Sequence, residues 1–254
     1  MIEMTKVSNS QIQTYKSCRR LYELKYKYGV RATSVSQAVE TGLGYHEKVE
    51  HLLETGEVVL DENAKTSAMA QAFALYILPQ MKPVKQEEWF EYLAGDVPVI
   101  GRIDALNEDG AVIEHKTTSG EITEEYWYTR QTDEQLMTYM LAYNTNRALY
   151  TVCRVPTIRQ KQSESNEDYY RRCLEWYAED TEQKIAMREI VIPQEQLFDF
   201  RIMQALTISE MRQCNLFYRN TNYCTKWNRM CEYAPICQHY DPNETYIGFE
   251  KKGD

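Results

Sequence analysis

Residues 99–118 read VIGRIDALNEDGAVIEHKTT, two apolar runs joined at Asp109-Gly110. An Asp-Gly pair between such runs is a strong short-range hairpin signal. The pattern predicts strands over 97–107 and 111–117. Side chains two apart on a strand share a face, so Glu114 and Lys116 lie with Val112, while Ile113 and His115 face the other way. Asp104 falls on the neighbouring strand, within reach of Glu114. Two close carboxylates repel unless a cation lies between them. Hard oxygen donors favour Mg²⁺ or Mn²⁺. A lysine beside that ion can orient attacking water or offset charge building on a phosphate. A carboxylate two residues before a lysine is common on exposed strands. Here the charges emerge from Ala111-Val112-Ile113, which reads as buried.

Outward from this hairpin the hydrophobic period changes. Residues 86–93 (QEEWFEYL) predict another strand, ending at the Gly95-Asp96 turn. Upstream, three helices are predicted: Ser8 to about Tyr28 with Ser8 or Ser10 as cap, Ser36–Leu53, and Glu62–Leu78. Downstream come a helix over 122–146 broken near Thr132-Asp133, a strand over 147–155, a helix over 166–185, a strand over 187–192, and a helix from Pro193 to about Tyr218. This order predicts an α/β core inside helical wrapping.

The 254 residues are enough for a full core, and 43% hydrophobic with 26% charged residues is ordinary for a globular protein. No apolar run reaches the ~18–20 residues that span a bilayer. The start, MIEMTKVSNS, lacks a signal-peptide core, so a cytoplasmic location in a prokaryotic or phage-infected cell is expected. A net charge of −9 argues against non-specific coating of nucleic acid, yet allows a local groove for a few nucleotides. Twenty tyrosines against six phenylalanines could stack on bases, though packing at half-buried helix faces is the better reading. No GxxxxGK[ST] phosphate loop occurs, so no ATP-driven motor is encoded here.

The ordered segments GLGYHEKVEHLL (42–53), GRIDAL (101–106), IEHKTT (113–118) and QLMTYMLAY (135–143) resemble the motifs of the PD-(D/E)XK nuclease superfamily. Within it they are most similar to RecB-like nucleases, including CRISPR-associated exonucleases. The resemblance implies a restriction-endonuclease-like core, a mixed central sheet flanked by helices. It assigns His46, Asp104 and Glu114 to a metal and Lys116 to the water or phosphate. Gln135 and Tyr139 match the family's Gln-x-x-x-Tyr pair near DNA. Glu114 stands where the family usually has aspartate. His115 is given no role.

Seven cysteines are many for a cytosolic protein, and in a reducing compartment clustered cysteines read as metal ligands before disulfides. Relatives with iron–sulfur clusters place one cysteine before the nuclease motifs and three after. By that resemblance Cys18, Cys224, Cys231 and Cys237 hold a [4Fe-4S] cluster with a structural role. The six-residue gap between Cys224 and Cys231 is longer than usual, which leaves Cys214 as a substitute ligand and zinc as an alternative metal. Cys153 and Cys173 read as buried structural thiols.

The resemblance implies one RecB-like nuclease domain over 1–254: a helical part over 1–83, a nuclease core over 84–192, and a helix and cysteine segment over 193–254. The implied activity is Mg²⁺- or Mn²⁺-dependent hydrolysis of DNA, as an exonuclease on single-stranded ends. Recombination, repair, phage replication and CRISPR adaptation are the implied settings, with a helicase or other partner and no membrane. Two rivals stand beside it: a catalytically silent nuclease-derived binding module, and a zinc-stapled structural protein.

Overall fold

The computed structural model describes residues 5–226 and 229–251. The first four residues of MIEMTKVSNS and Trp227-Asn228 within the cysteine segment lie outside that range. The chain forms two units that interleave along the sequence: Gln37–Phe90 with Arg102–Phe198, and Met1–Ser36 with Glu91–Gly101 and Asp199–Asp254.

The larger unit is built on a five-stranded mixed sheet. Its strands lie in the order Pro83–Gln86, Ala105–Asn107, Val112–Thr118, Arg147–Arg154, Ile185–Val191. Only Val112–Thr118 and Arg147–Arg154 run parallel, with Glu114 opposite Tyr150, His115 opposite Thr151 and Lys116 opposite Val152. A parallel pair needs a crossover. The helices Glu124–Arg130 and Glu134–Ala142 supply it, broken where the sequence predicts, with Asp133 capping the second. The expected hairpin is present: Gly110 adopts φ +81° and its N–H donates to the Asn107 carbonyl at 3.0 Å.

Residues Val112 to His115 are all buried, as expected for a parallel strand covered on both faces. The helices Gln37–Thr55 and Ala64–Tyr76 supply Tyr45, Val49, Met69 and Phe73 to the core around Ile113 and Ala105. Ala64–Tyr76 buries residues all round its circumference, and its alanines admit close neighbours. It packs against Asn166–Glu179 through Ala64, Ala68, Tyr169 and Cys173. The fold is thus mixed α/β, a central mixed sheet flanked by helices.

The two long strands expected over 86–93 and 97–107 are each divided. Pro83–Gln86 and Ala105–Asn107 pair in the five-stranded sheet, whereas Trp89–Ala94 and Val97–Arg102 join a three-stranded one with Val7–Ser8. The division falls at Glu87, which takes φ +48°, and at Ile103-Asp104. Across it the Glu87 N–H donates to the Asp104 carbonyl at 3.0 Å, and the Ile103 N–H to the Glu88 carbonyl at 3.1 Å.

In the smaller unit Ser8 caps the helix Asn9–Ser17. The Gln11 N–H donates to Ser8 Oγ at 3.3 Å and the Ser8 N–H to Gln11 Oε1 at 2.8 Å, a reciprocal capping box. The expected helix does not continue to Tyr28. Cys18 is extended (φ −161°, ψ 113°), and winding resumes as Arg19–Tyr22 and then a wider turn, Glu23–Lys27. Two small cores follow, one of Val7, Ile12, Tyr15, Val99 and Met211, the other of Leu21, Leu24, Val30, Tyr233 and Ile236. Tyrosines mostly pack here and in the larger unit; Tyr45, Tyr150, Tyr177 and Tyr233 are fully buried. Among the described residues no helix is long and apolar enough to cross a membrane.

Candidate active site

In the larger unit the helix Gln37–Thr55 delivers His46, the segment before Ala105 delivers Asp104, and the strand Val112–Thr118 delivers Glu114 and Lys116. His46 Nδ1 lies 3.6 Å from Asp104 Oδ1. The other Asp104 oxygen accepts the backbone N–H of His115 at 2.7 Å. Lys116 forms an ion pair with Glu114 and donates from Nζ to Gln135 Oε1 at 2.8 Å. Gln135 Nε2 in turn donates to the Tyr139 hydroxyl at 2.7 Å. Gln135 and Tyr139 are one turn apart on Glu134–Ala142, as four-residue spacing requires. Asp133 fixes that turn by accepting the N–H groups of Gln135 (3.0 Å) and Leu136 (3.3 Å). The six residues singled out from the sequence thus form two chains of contacts, His46–Asp104 and Glu114–Lys116–Gln135–Tyr139, coupled through the charge of Asp104 acting on Glu114.

Charge in this network is expensive. Burial, and then the Asp104 charge, push the Glu114 carboxyl up to about 8 despite Lys116 beside it. Burial pushes Asp104 up to about 6, against the pull of the His115 N–H and Lys116. Burial would lower Lys116, but Glu114 beside it, with Asp104 and Asp133, holds it above its ordinary value. Facing Glu114, the lysine favours its charged form. Burial lowers His46, leaving a neutral imidazole able to offer a lone pair.

Among the described residues no three Asp, Glu, His or Cys side chains are already gathered closely enough to hold a metal ion. The donors nevertheless suit a hard cation. Glu114 is 2% exposed and its Oε2 has no hydrogen-bond partner in the structure, so one buried carboxylate oxygen is left unsatisfied beside Asp104 and His46. A divalent cation would satisfy that oxygen and offset the cost of burying charge on both carboxyls.

Four neighbours, in two pairs, escaped the sequence reading. Glu87 pairs with Arg102 at 2.6 Å, and its charge acts on Asp104, as charge from Glu114 acts on Glu87. His115 is as buried as Glu114, with Nδ1 2.8 Å from Thr151 Oγ1 and a lowered pKa of about 3, caused first by burial. The spacing of acidic residues could not have found Glu87, because it reaches the site through a backbone kink. His115 was visible as the residue between the glutamate and the lysine.

In the smaller unit Cys18, Cys224, Cys231 and Cys237 line one cavity of about 280 Å³, with Leu21, Leu24 and Tyr233. All four thiols are free of disulfides. Charge on Cys18 and Cys224 acts on both Cys231 and Cys237, so the four share one electrostatic neighbourhood. The helix break at Cys18 turns it away from the helical path, and its sulfur accepts the Asn220 N–H at 3.4 Å. Cys214 lies elsewhere, packed with Tyr15 and Met211, its thiol 3.4 Å from the Leu216 carbonyl. As they stand, the four line the cavity without being gathered closely enough to hold a metal ion. Cys153 and Cys173 are buried in the larger unit, Cys153 against the Tyr177 hydroxyl at 3.2 Å.

Residues 61–238 match the PD-(D/E)XK nuclease superfamily. The chain belongs to that superfamily. Glu114-His115-Lys116 has the spacing in the superfamily's name and lies inside the matched span, with Asp104, Gln135 and Tyr139. His46 and Cys18 precede it. No curated protein matches the chain. Among solved structures, a provisionally named exonuclease from Eubacterium rectale is similar at 11% identity, covering 96% of this chain and 91% of its own, with a TM-score of 0.55. A phage-related exonuclease from Haemophilus somnus 129PT shares 17% identity over 81% of this chain and 96% of its own, at a TM-score of 0.38. The protein SSO0001 shares 15% over 94% and 88%, at 0.49. The likeness to the Eubacterium rectale protein speaks to the fold alone.

Proposed function

We propose that this chain is a metal-dependent DNA nuclease of the RecB type, acting as an exonuclease on single-stranded ends. The observation that carries the reading is the network joining His46, Asp104, Glu114, Lys116, Gln135 and Tyr139. His46, Asp104 and Glu114 would hold Mg²⁺ or Mn²⁺, which supplies Lewis-acid polarisation of a phosphate oxygen and acidifies water. Lys116 remains an ammonium because Glu114 faces it, and it neutralises charge building on the phosphate. Gln135 holds the ammonium in place, and Tyr139 holds Gln135. Single-stranded DNA is the proposed substrate, supplied by a helicase, a recombination protein or a CRISPR-adaptation partner.

Cys18, Cys224, Cys231 and Cys237 would hold a [4Fe-4S] cluster of structural role. The cross-link closes a loop of roughly two hundred residues, which restricts the unfolded chain. Both units then work as a single nuclease domain.

The test is Mn²⁺-dependent degradation of end-labelled single-stranded and duplex DNA by anaerobically purified wild type and by Lys116→Ala. Degradation by wild type alone supports the reading and gives the polarity from the label. Inactivity of both, with the visible iron–sulfur absorption intact, favours the silent binding module. A colourless protein loaded with zinc overturns the cluster.

A further inference from the structure

We propose that His115 is a positioning residue for the metal-holding carboxylates, acting on Asp104 through its own backbone N–H and anchored by Thr151. The inference rests on the reading of Asp104 and Glu114 given above and extends it to two residues that touch neither substrate nor metal.

Regular pairing between Ala105–Asn107 and Val112–Thr118 stops at Ala105 opposite Ile113. Beyond that point Ile103 turns its N–H to the Glu88 carbonyl, so the edge of the strand at His115 has no regular partner strand. The Asp104 side chain fills the gap: Oδ2 accepts the His115 N–H at 2.7 Å while Oδ1 stays toward His46. One carboxylate oxygen is thereby committed to the sheet and the other is left for chemistry. The direction of Asp104 consequently depends on where the backbone at residue 115 is held.

That backbone is held from the side chain. The imidazole is 2% exposed and lies edge-on to Phe73, with ring centroids 5.0 Å apart at 84°. Its Nδ1 is 2.8 Å from Thr151 Oγ1, a 1%-exposed hydroxyl directly opposite on the parallel neighbour. Nε2 has no hydrogen-bond partner in the structure. An apolar side chain would fill this volume without leaving a buried nitrogen unpaired. A histidine that served packing alone is therefore the costlier choice. What it adds over phenylalanine is the single directional bond to Thr151, which fixes the register of the residue between Glu114 and Lys116.

Three variants in the full chain test this: Thr151→Val, which removes the hydroxyl at constant shape, His115→Phe, which keeps a ring and loses the bond, and His115→Asn, which can keep a polar atom near the Nδ1 position. Mn²⁺ binding is measured by calorimetry or electron paramagnetic resonance, alongside kcat and KM for end-labelled single-stranded DNA, and thermal melting. The expected result is folded Thr151→Val and His115→Phe proteins with Mn²⁺ affinity weakened about tenfold, kcat reduced, KM for DNA unchanged, and partial recovery in His115→Asn. Folded variants with wild-type Mn²⁺ affinity and kcat overturn the proposal and leave His115 as packing. If His115→Phe does not fold, Thr151→Val alone decides in the same way. If wild type neither binds Mn²⁺ nor degrades DNA, the nuclease reading itself fails and takes the proposal with it, an outcome distinct from normal wild type with normal variants.

Discussion

The carboxylate site and the cysteine cavity are built in opposite ways. The first sits mostly on regular structure: the strand Val112–Thr118 and two helices, with Asp104 in the break before Ala105, all within one unit and spread over 46–139. Its electrostatic cost is met by folding, which holds Glu114 at 2% exposure against Asp104. The second is assembled on irregular chain, from a helix break at Cys18 and a loop-rich segment around Cys224, Cys231 and Cys237. Its thiols surround a cavity with little regular structure between them. The sheet can impose geometry on Glu114 and Lys116, whereas the cysteine segment has little regular structure with which to hold its thiols.

The largest effect is expected where the sheet-imposed geometry meets chemistry. Glu114→Gln and Lys116→Ala should each lower Mn²⁺-dependent DNA degradation about 10³-fold with little change in melting temperature. Near-wild-type degradation by both variants would show that the network is structural. Next comes the other side of the comparison. Cys231→Ser should bleach the visible absorption and cost about 3 kcal/mol, read as a drop of roughly 10 °C in melting temperature. If melting is unchanged while the colour is lost, the cavity does not depend on its contents.

The third effect separates the regions by pH. A carboxyl whose pKa is raised on folding binds protons more tightly in the native state, so its stabilising share is present below the unfolded value near 4 and is lost as pH rises through the folded one. For Asp104 and Glu114 that window runs from about 4 to about 8. Metal-free wild type should therefore lose stability relative to Glu114→Gln across this range, on the order of 2 kcal/mol. Denaturant midpoints at pH 5 and pH 8 measure the difference, and added Mn²⁺ should reverse it. The smallest effect is at Asp133. Asp133→Ala removes a helix cap worth about 1 kcal/mol and loosens Gln135. Activity should fall about fivefold, with the Lys116→Ala background showing no further loss.

Much of the larger unit was legible because its signals are local. The Asp109-Gly110 turn, the run Val112–His115 and the break before Glu134 each lie within a few residues of their cause. The divided strands were hidden because QEEWFEYL and VPVIGRIDALN carry no glycine or proline at Glu87 or at Ile103-Asp104. The breaks at Glu87 and Ile103-Asp104 are made by hydrogen bonds between the two segments, which no window on either contains. The break at Cys18 was hidden for a related reason: Ile12, Tyr15, Leu21, Tyr22 and Leu24 keep a helical spacing across it, and tertiary packing overrides that spacing. His115 received no role from the sequence because alternation places it away from Glu114 and Lys116. Its importance lies in a backbone N–H and in Thr151, thirty-six residues later.

The interleaving of the units also sets an order of birth. Every residue of the larger unit, ending at Phe198, is joined to the chain before Cys224, Cys231 and Cys237. The sheet with its carboxylates can be complete while Cys18 still waits for the other cysteines.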